Sequence, residues 1–408
     1  MPLFILKRLY RKLWLRVTLY ALASLIAAGA GSVADLFLSD QLIGLVKPGA
    51  VMPVLTILAS SMLAVSTFSL NVMVSAHRTA AQIATPRVHR LLLEDTTTQA
   101  VLAAFVGAFV FSLTSIVLFQ SGIYDDSAAI VVMGVTVLVV VLVIAAILRW
   151  IEHLSTLGSL DDSLRQVVEI SEVGLTRLAC DPAFGGVAMT PDTVIPTAVR
   201  AVLAPCSGYV QLLDVDGFQR CLAGAGAMYI LRGPGKHVLE GQPLAQVSGD
   251  VSPEVLEELA RKFLIGDRRS FEQDPVFGLH VMSEIGSKAL SPGVNDAGTA
   301  IETIAGIQEL LWGYAQARAV CDVRHPQVFV PVSLTQTLFE AAFGAIARDG
   351  AGQIEVALKL RKALKNLAMS EDAGTARSAH EMAALALSYG NAALPLEAEK
   401  ARLREIVL

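Results

Sequence analysis

The chain has no His-Glu-x-x-His zinc motif, no phosphate-cradling Gly-rich loop and no Gly-x-Ser-x-Gly nucleophile elbow. Its Gly224-Ala225-Gly226 lacks the third glycine of a dinucleotide loop. These absences remove the patterns that mark metalloproteases, P-loop hydrolases, α/β-hydrolases and dinucleotide enzymes. We therefore expect neither an enzyme activity nor a cofactor. Cysteine is scarce: Cys180, Cys206, Cys221 and Cys321 are scattered without a Cys-x-x-Cys pair. That pattern fits structural thiols in a reducing compartment rather than a disulfide frame. A formal net charge of -5 gives no footing for nucleic-acid binding. The seven histidines are dispersed, with His77 and His89 in one loop and His280 in a helix, and read as surface or interface residues.

Charge is nearly missing from four stretches in the first third of the chain, at about 17–38, 51–76, 100–120 and 128–150. Each supplies the roughly 20 apolar residues that cross a hydrocarbon core of about 30 Å as a helix. The overall 54% hydrophobic and 17% charged residues thus average two environments, a membrane region and an ordinary water-facing region. The first stretch reads as a span rather than a cleaved signal, since it has no clear small-residue cleavage site and three further spans follow.

Basic residues orient the spans, because Lys and Arg near membrane ends stay on the cytoplasmic side. Lys7, Arg8, Arg11, Lys12 and Arg16 precede the first span, and Arg78, Arg87 and Arg90 lie between the second and third. The loop between the first two holds only Lys47, and the loop between the last two holds Asp125 and Asp126 without any base. Four crossings therefore predict both termini, and everything beyond Arg149, in the cytosol of a bacterial inner-membrane protein.

The second span carries Thr56, Ser60, Ala64, Thr67, Asn71 and Ser75 on one stripe about 100° wide. Such a face must meet protein or water. One reading is close helix packing through small and hydroxyl side chains. The other is a hydrated pathway in which the hydroxyls and the Asn71 amide solvate a small ion. The run Ala27-Ala28-Gly29-Ala30-Gly31 and the spaced Ala104, Ala108 and Ser112 are further close-approach surfaces. Asp35 lies near the outer end of its helix and reads as an interfacial carboxylate.

Past Arg149, Leu157, Leu160, Leu164, Val168, Leu175 and Leu178, with Ser171, recur at helical steps. The seam suits either a subunit contact or folding back on its own domain. Pro182, Gly185-Gly186, Pro191 and Pro196 then mark a linker. Strand-like blocks follow at 204–211 and 228–247, with a short helix expected over 214–221.

Two resemblances become visible here. Ala204-Pro-x-Ser-Gly-x-Val210 with Pro234-Gly-x-x-Val238-x-x-Gly241-x-Pro-Leu244 resembles the barrel-sandwich hybrid of biotinyl and lipoyl domains over about 45 residues. A carrier domain needs a Lys on the hairpin joining its halves, yet no Lys occurs from Ala204 to Leu231, and Lys236 lies in the second-half turn. A rigid non-carrier barrel is the consistent reading. Phe271-Glu-Gln-Asp-Pro-Val-Phe-Gly278 and Ala289-Leu-Ser-Pro-Gly-Val-Asn-Asp296, followed by Thr299-Ala300, resemble the signature of a bacterial family of predicted membrane proteins of unknown function. Phe68-Ser-Leu70, Ala84-Thr-Pro-Arg87 and Asp95-x-x-Thr98-Gln99 agree with that family. The chain departs from it at Ala84-Thr85, where Phe-Ser is common, and at Ala297, where Pro is common. The likeness covers nearly the whole chain except the last fifty or so residues and implies an architecture, not an activity.

Within that signature, Ser291-Pro-Gly-Val forms a turn, and Asn295 or Asp296 offers an oxygen to the free amides of a following helix. The competing reading is a ligand site, because Glu272, Asp274, Asn295 and Asp296 are oxygen donors suited to a hard cation, while a helix start there suits an anion. Farther on, Lys359, Arg361, Lys362 and Lys365 read as a solvated basic face.

The expected fold is an α-helical bundle of four transmembrane helices over 1–150 and a cytosolic α+β region. The latter comprises a connecting helix and linker over 151–200, a small barrel-like β subdomain over 201–250 and a helical subdomain over 251–408. The expected function is a homo-oligomeric ion channel or transport pathway in the lipid bilayer, lined by Thr56, Ser60, Thr67, Asn71 and Ser75, with a cytosolic vestibule or sensor. The alternative is a non-conducting scaffold or sensor that recruits cytosolic partners.

Overall fold

The computed structural model describes residues 13–30, 48–83, 85–88, 96–124, 128–154, 159–190, 192–222, 224, 226–317 and 322–407. Asp35, Asp125, Asp126, His89 and Cys321 lie outside the described residues. Two compact units divide near Ser163, a membrane unit and an α+β unit.

Among the described residues the membrane unit has four long helices: α1 (Leu13–Ala30), α2 (Pro48–Ile83), α3 (Thr96–Gln120) and α4 (Ala128–Leu154). Three are long and apolar enough to cross a bilayer, over Gly49–Ala76, Thr97–Gln120 and Ala128–Leu154. The described part of α1 contains a shorter apolar stretch, Trp14–Gly29, and the expected remainder of the first span to residue 38 lies outside the described residues. α2 extends beyond the expected 51–76 at both ends. α3 is apolar all round, as suits a helix surrounded by others, and it touches α1, α2 and α4. One cluster joins Ala28, Val51, Leu55, Phe111 and Val132, and another joins Leu58, Met62, Phe105, Val143 and Trp150. The start of α2 therefore lies with the end of α3, so the two run antiparallel. Close approach is visible where Gly107 of α3 faces Ser24 and Tyr20 of α1, and the Tyr124 hydroxyl donates to the Ala28 carbonyl.

In the second unit, α5 (Leu160–Cys180) leads into two sheets. Strands β1 (Val187–Met189), β2 (Val199–Leu203), β4 (Ala227–Ile230), β6 (Pro243–Ser248) and β8 (Val328–Pro331) form one sheet, ordered β1-β8-β4-β6-β2. Strands β3 (Gly208–Leu213), β5 (His237–Val238) and β7 (Phe263–Gly266) form the other, ordered β5-β3-β7. β8 runs parallel to both β1 and β4, whereas the remaining pairs are antiparallel. The sheets thus recruit β1, β7 and β8 from outside 201–250. A register shift in β3 between Val210 and Leu212 lets both Val210 and Leu213 enter one core, and α6 (Val215–Leu222) and α7 (Pro253–Arg261) add Phe218 and Leu259 to it. A fully buried Phe218 contributes on the order of 2–3 kcal/mol.

Among the described residues six helices complete the unit: α8 (Pro275–Ala289), α9 (Ala297–Ala317), α10 (Thr335–Asp349), α11 (Ile354–Ala368), α12 (Ala373–Ala393) and α13 (Glu397–Arg404). α12 starts where Asp372 accepts from the Thr375 amide, an N-cap of the ordinary kind. The basic face expected on α11 is only partly solvated: Arg361 is buried, and its guanidinium donates to the carbonyls of Ala383, at 2.9 Å, and Ile406. Periodicity missed this because a long basic side chain in an Ala-Leu helix looks the same whether it reaches water or backbone carbonyls.

Candidate functional site

On α2 the buried residues are Val51, Leu55, Leu58, Ala59, Met62, Ser69 and Met73. At 100° per residue these lie on the side of the helix opposite Thr56, Ser60, Ala64, Thr67, Asn71 and Ser75. All six stripe residues are exposed. The described residues therefore do not cover the stripe. Thr56 donates to the Met52 carbonyl, Ser60 to Thr56 and Thr67 to Leu63, each at 2.9 Å. These hydroxyls are thus satisfied by their own helix while their oxygens keep acceptor capacity. Asn71 is the strongest polar group of the stripe, with two donors and an acceptor on an exposed amide. On either side stand Ile57, Leu63, Phe68, Leu70 and Val74, also exposed, so the stripe is a polar band within an apolar surface.

The other four residues singled out by sequence do not converge. Glu272 and Asp274 precede α8, whereas Asn295 and Asp296 follow it and lead into α9. α8 has 15 residues and so separates the pairs by about 22 Å. Asp274 is buried, accepts from the Phe277 amide, and is gripped by Arg269 through Nε at 2.7 Å and Nη2 at 2.9 Å. Pro275 at the first helical position fits a site whose amide has no intrahelical partner. Asp296 accepts from the Thr299 amide at 3.1 Å and its hydroxyl at 2.6 Å. The hydroxyl and amide of Thr299 hold the Asp296 carboxyl below the usual carboxylate range. Asn295 takes a left-handed backbone, φ 52°, and accepts from Gln353 Nε2 at 3.1 Å. The single cation site that the four oxygens suggested is therefore not assembled. Among the described residues no group of three or more His, Cys, Asp or Glu is arranged to hold a metal ion.

Two glycines show what the first signature does. A Cβ on Gly278 would sit 2.1 Å from Ser171 Oγ, so α8 crosses α5 at a contact only glycine permits. Gly235, at φ 83°, would place a Cβ 2.2 Å from Asp274 Oδ2, which seats the β4–β5 turn on the cap of α8. The helical seam containing Ser171 is accordingly a contact of α5 with its own unit. Sequence reasoning missed Arg269 and these two glycines, although Gly278 closes the quoted motif. Glu272 and Asp274 also line a cavity of about 280 Å³ with Arg177, Lys236 and Thr337. Arg177 Nη1 donates to the Glu272 carbonyl at 2.9 Å.

A membrane helix bundle followed by an α+β unit, with both signature motifs at the ends of α8, defines a class of membrane protein. The chain belongs to the predicted membrane protein family DUF2254, which matches residues 10–366. It is similar to uncharacterized proteins Rv1290c of Mycobacterium tuberculosis and Mb1321c of Mycobacterium bovis, each 28% identical over 299 residues, covering 68% of this chain and 56% of the relative. The chain thus spans about half the length of the curated relatives it matches. No solved structure matches it.

Proposed function

We propose that this membrane protein is a homo-oligomeric ion channel or transport pathway of the bacterial inner membrane. In this reading four spans per subunit surround an axis, α2 lines the pathway, and the α+β unit is a cytosolic vestibule or sensor. One observation carries the proposal: the polar stripe of α2 is turned directly away from the helix's buried face. A primary amide and a row of hydroxyls facing hydrocarbon are costly, so the face calls for other subunits, water or both. Four spans are few for a pathway within one subunit, and repetition around a symmetry axis supplies the missing walls.

A non-conducting scaffold that recruits cytosolic partners is the second reading. It is favoured by the bonds from Thr56, Ser60 and Thr67 to their own backbone, which let subunits meet without intervening water. The two readings part on current. Purified protein reconstituted into liposomes should pass ions, and Asn71→Leu should alter that current. Liposomes silent under voltage, tension and divalent-ion challenge would overturn the channel and leave the scaffold. A monomer in detergent, by native mass spectrometry, would count against both the axis and the lining.

A further inference from the structure

We propose that the groove between α8 and α10 is a binding site for a small organic cation carrying primary amines. The site lies wholly within the α+β unit and does not rest on whether the membrane unit conducts.

α8 turns a polar face toward α10 between its two anchored ends. Ser283, Glu284, Ser287 and Lys288 follow one another at steps of one and three, the spacing of a single helix face. Facing them on α10 is a wall of small residues, Ala341, Gly344 and Ala345. The space between measures about 790 Å³, the size of a small-molecule site rather than a packing defect. Small side chains keep it wide: a Cβ added at Gly344 would meet nothing within 4 Å. Neither backbone strain nor a tight crossing demands glycine at that position.

A second and independent feature points to a ligand. Ser283 lines the groove at 2% exposure, and its Oγ makes no hydrogen bond with the described residues. A buried hydroxyl left without a partner costs about 1–3 kcal/mol, a cost that a bound polar group removes. Charge then selects the ligand. Three carboxylates, Glu284, Glu340 and Asp349, line the groove together with the Lys288 ammonium and the His280 imidazole, whose Nε2 lies 3.3 Å from Glu284. Asp349 is already held by Arg348 at 2.8 Å and by the Ser287 hydroxyl. Glu340, exposed at the rim, accepts from Gln336 of its own helix at 3.0 Å. Such a lining repels phosphates and carboxylates and attracts amines. The volume favours an organic ligand over a bare ion.

Full-length protein in detergent, titrated calorimetrically with spermidine, tests this directly. Wild type should show saturable binding, and inorganic phosphate none. Gly344→Leu should weaken spermidine at least about tenfold, roughly 1.4 kcal/mol, without moving the thermal midpoint, because the new side chain enters open space. Ser283→Ala should weaken it several-fold, and Glu340→Gln by less. If Gly344→Leu unfolds the protein, Ala341→Leu plugs the same wall and must give the same loss. No saturable binding at millimolar spermidine overturns the proposal, as does binding that survives the plugging variant. Phosphate binding that the plug abolishes overturns the assignment to amines.

Discussion

In the α+β unit, Asp274 and Asp296 accept hydrogen bonds from the first turns of the helices they start, and Asp274 is also gripped by Arg269. In the membrane unit, Asn71 and the hydroxyls in line with it face away from every described helix. The same contrast recurs inside the membrane unit. α4 buries its one hydroxyl residue, Thr136, and shows Leu138, Val141, Leu142 and Leu148 on its uncovered side, whereas α2 shows Thr56, Ser60, Thr67 and Ser75 between its exposed apolar residues. Polar groups consumed by caps and ion pairs explain a fold. Polar groups left outward on a membrane helix require something else to meet them.

Substitutions should separate these two kinds of polar residue, and loss of stability is the first measure. Asp274→Ala removes a cap and strands Arg269, so denaturation of purified protein should show a loss of about 3 kcal/mol. Gly278→Val drives a side chain into Ser171 and should cost about 2 kcal/mol by the same measurement. Asp296→Ala should cost about 1 kcal/mol, as a lost cap does. Its pH dependence has a fixed sign. A carboxyl held below its unfolded value of about 3.9 stabilises the fold above that pH, and the contribution disappears as pH falls through the lowered value. The gap between wild type and Asp296→Ala should therefore close in strong acid, as midpoints measured between about pH 7 and pH 2 would reveal. Asn71→Leu should change stability by less than about 0.5 kcal/mol while changing subunit number or current. A large loss of stability in that variant would put Asn71 with the structural group and erase the comparison.

Much of this was legible in the chain because the bilayer imposes a simple code. Apolar stretches at 51–76, 100–120 and 128–150 became helices, with α2 running on to Ile83, and the 3.6-residue period placed all six stripe residues on one side of α2. Residue type offered Asn295 or Asp296 as the cap, and the structure gives the role to Asp296; the short helix expected over 214–221 is found at Val215–Leu222. What stayed hidden depends on tertiary distance. Nothing local in Glu272, Asp274, Asn295 and Asp296 says that a 15-residue helix holds them apart. Nor does the motif say that Gly278 is small for the sake of Ser171, a residue more than a hundred positions earlier. Arg361 looked solvated because helical periodicity does not register a chain end, here the Ile406 carbonyl, folding over it.

The length of α2 has a mechanical consequence. Its 36 residues make a rod of about 54 Å, against a hydrocarbon core of about 30 Å. Its apolar stretch, 28 residues over Gly49–Ala76, also exceeds the roughly 20 that an upright helix needs. A helix too long for its bilayer relieves the mismatch by leaning. Thinning the membrane would increase the lean and swing the polar band of α2 about its own crossing point. Lipid chain length thus becomes a lever on this protein that requires no ligand.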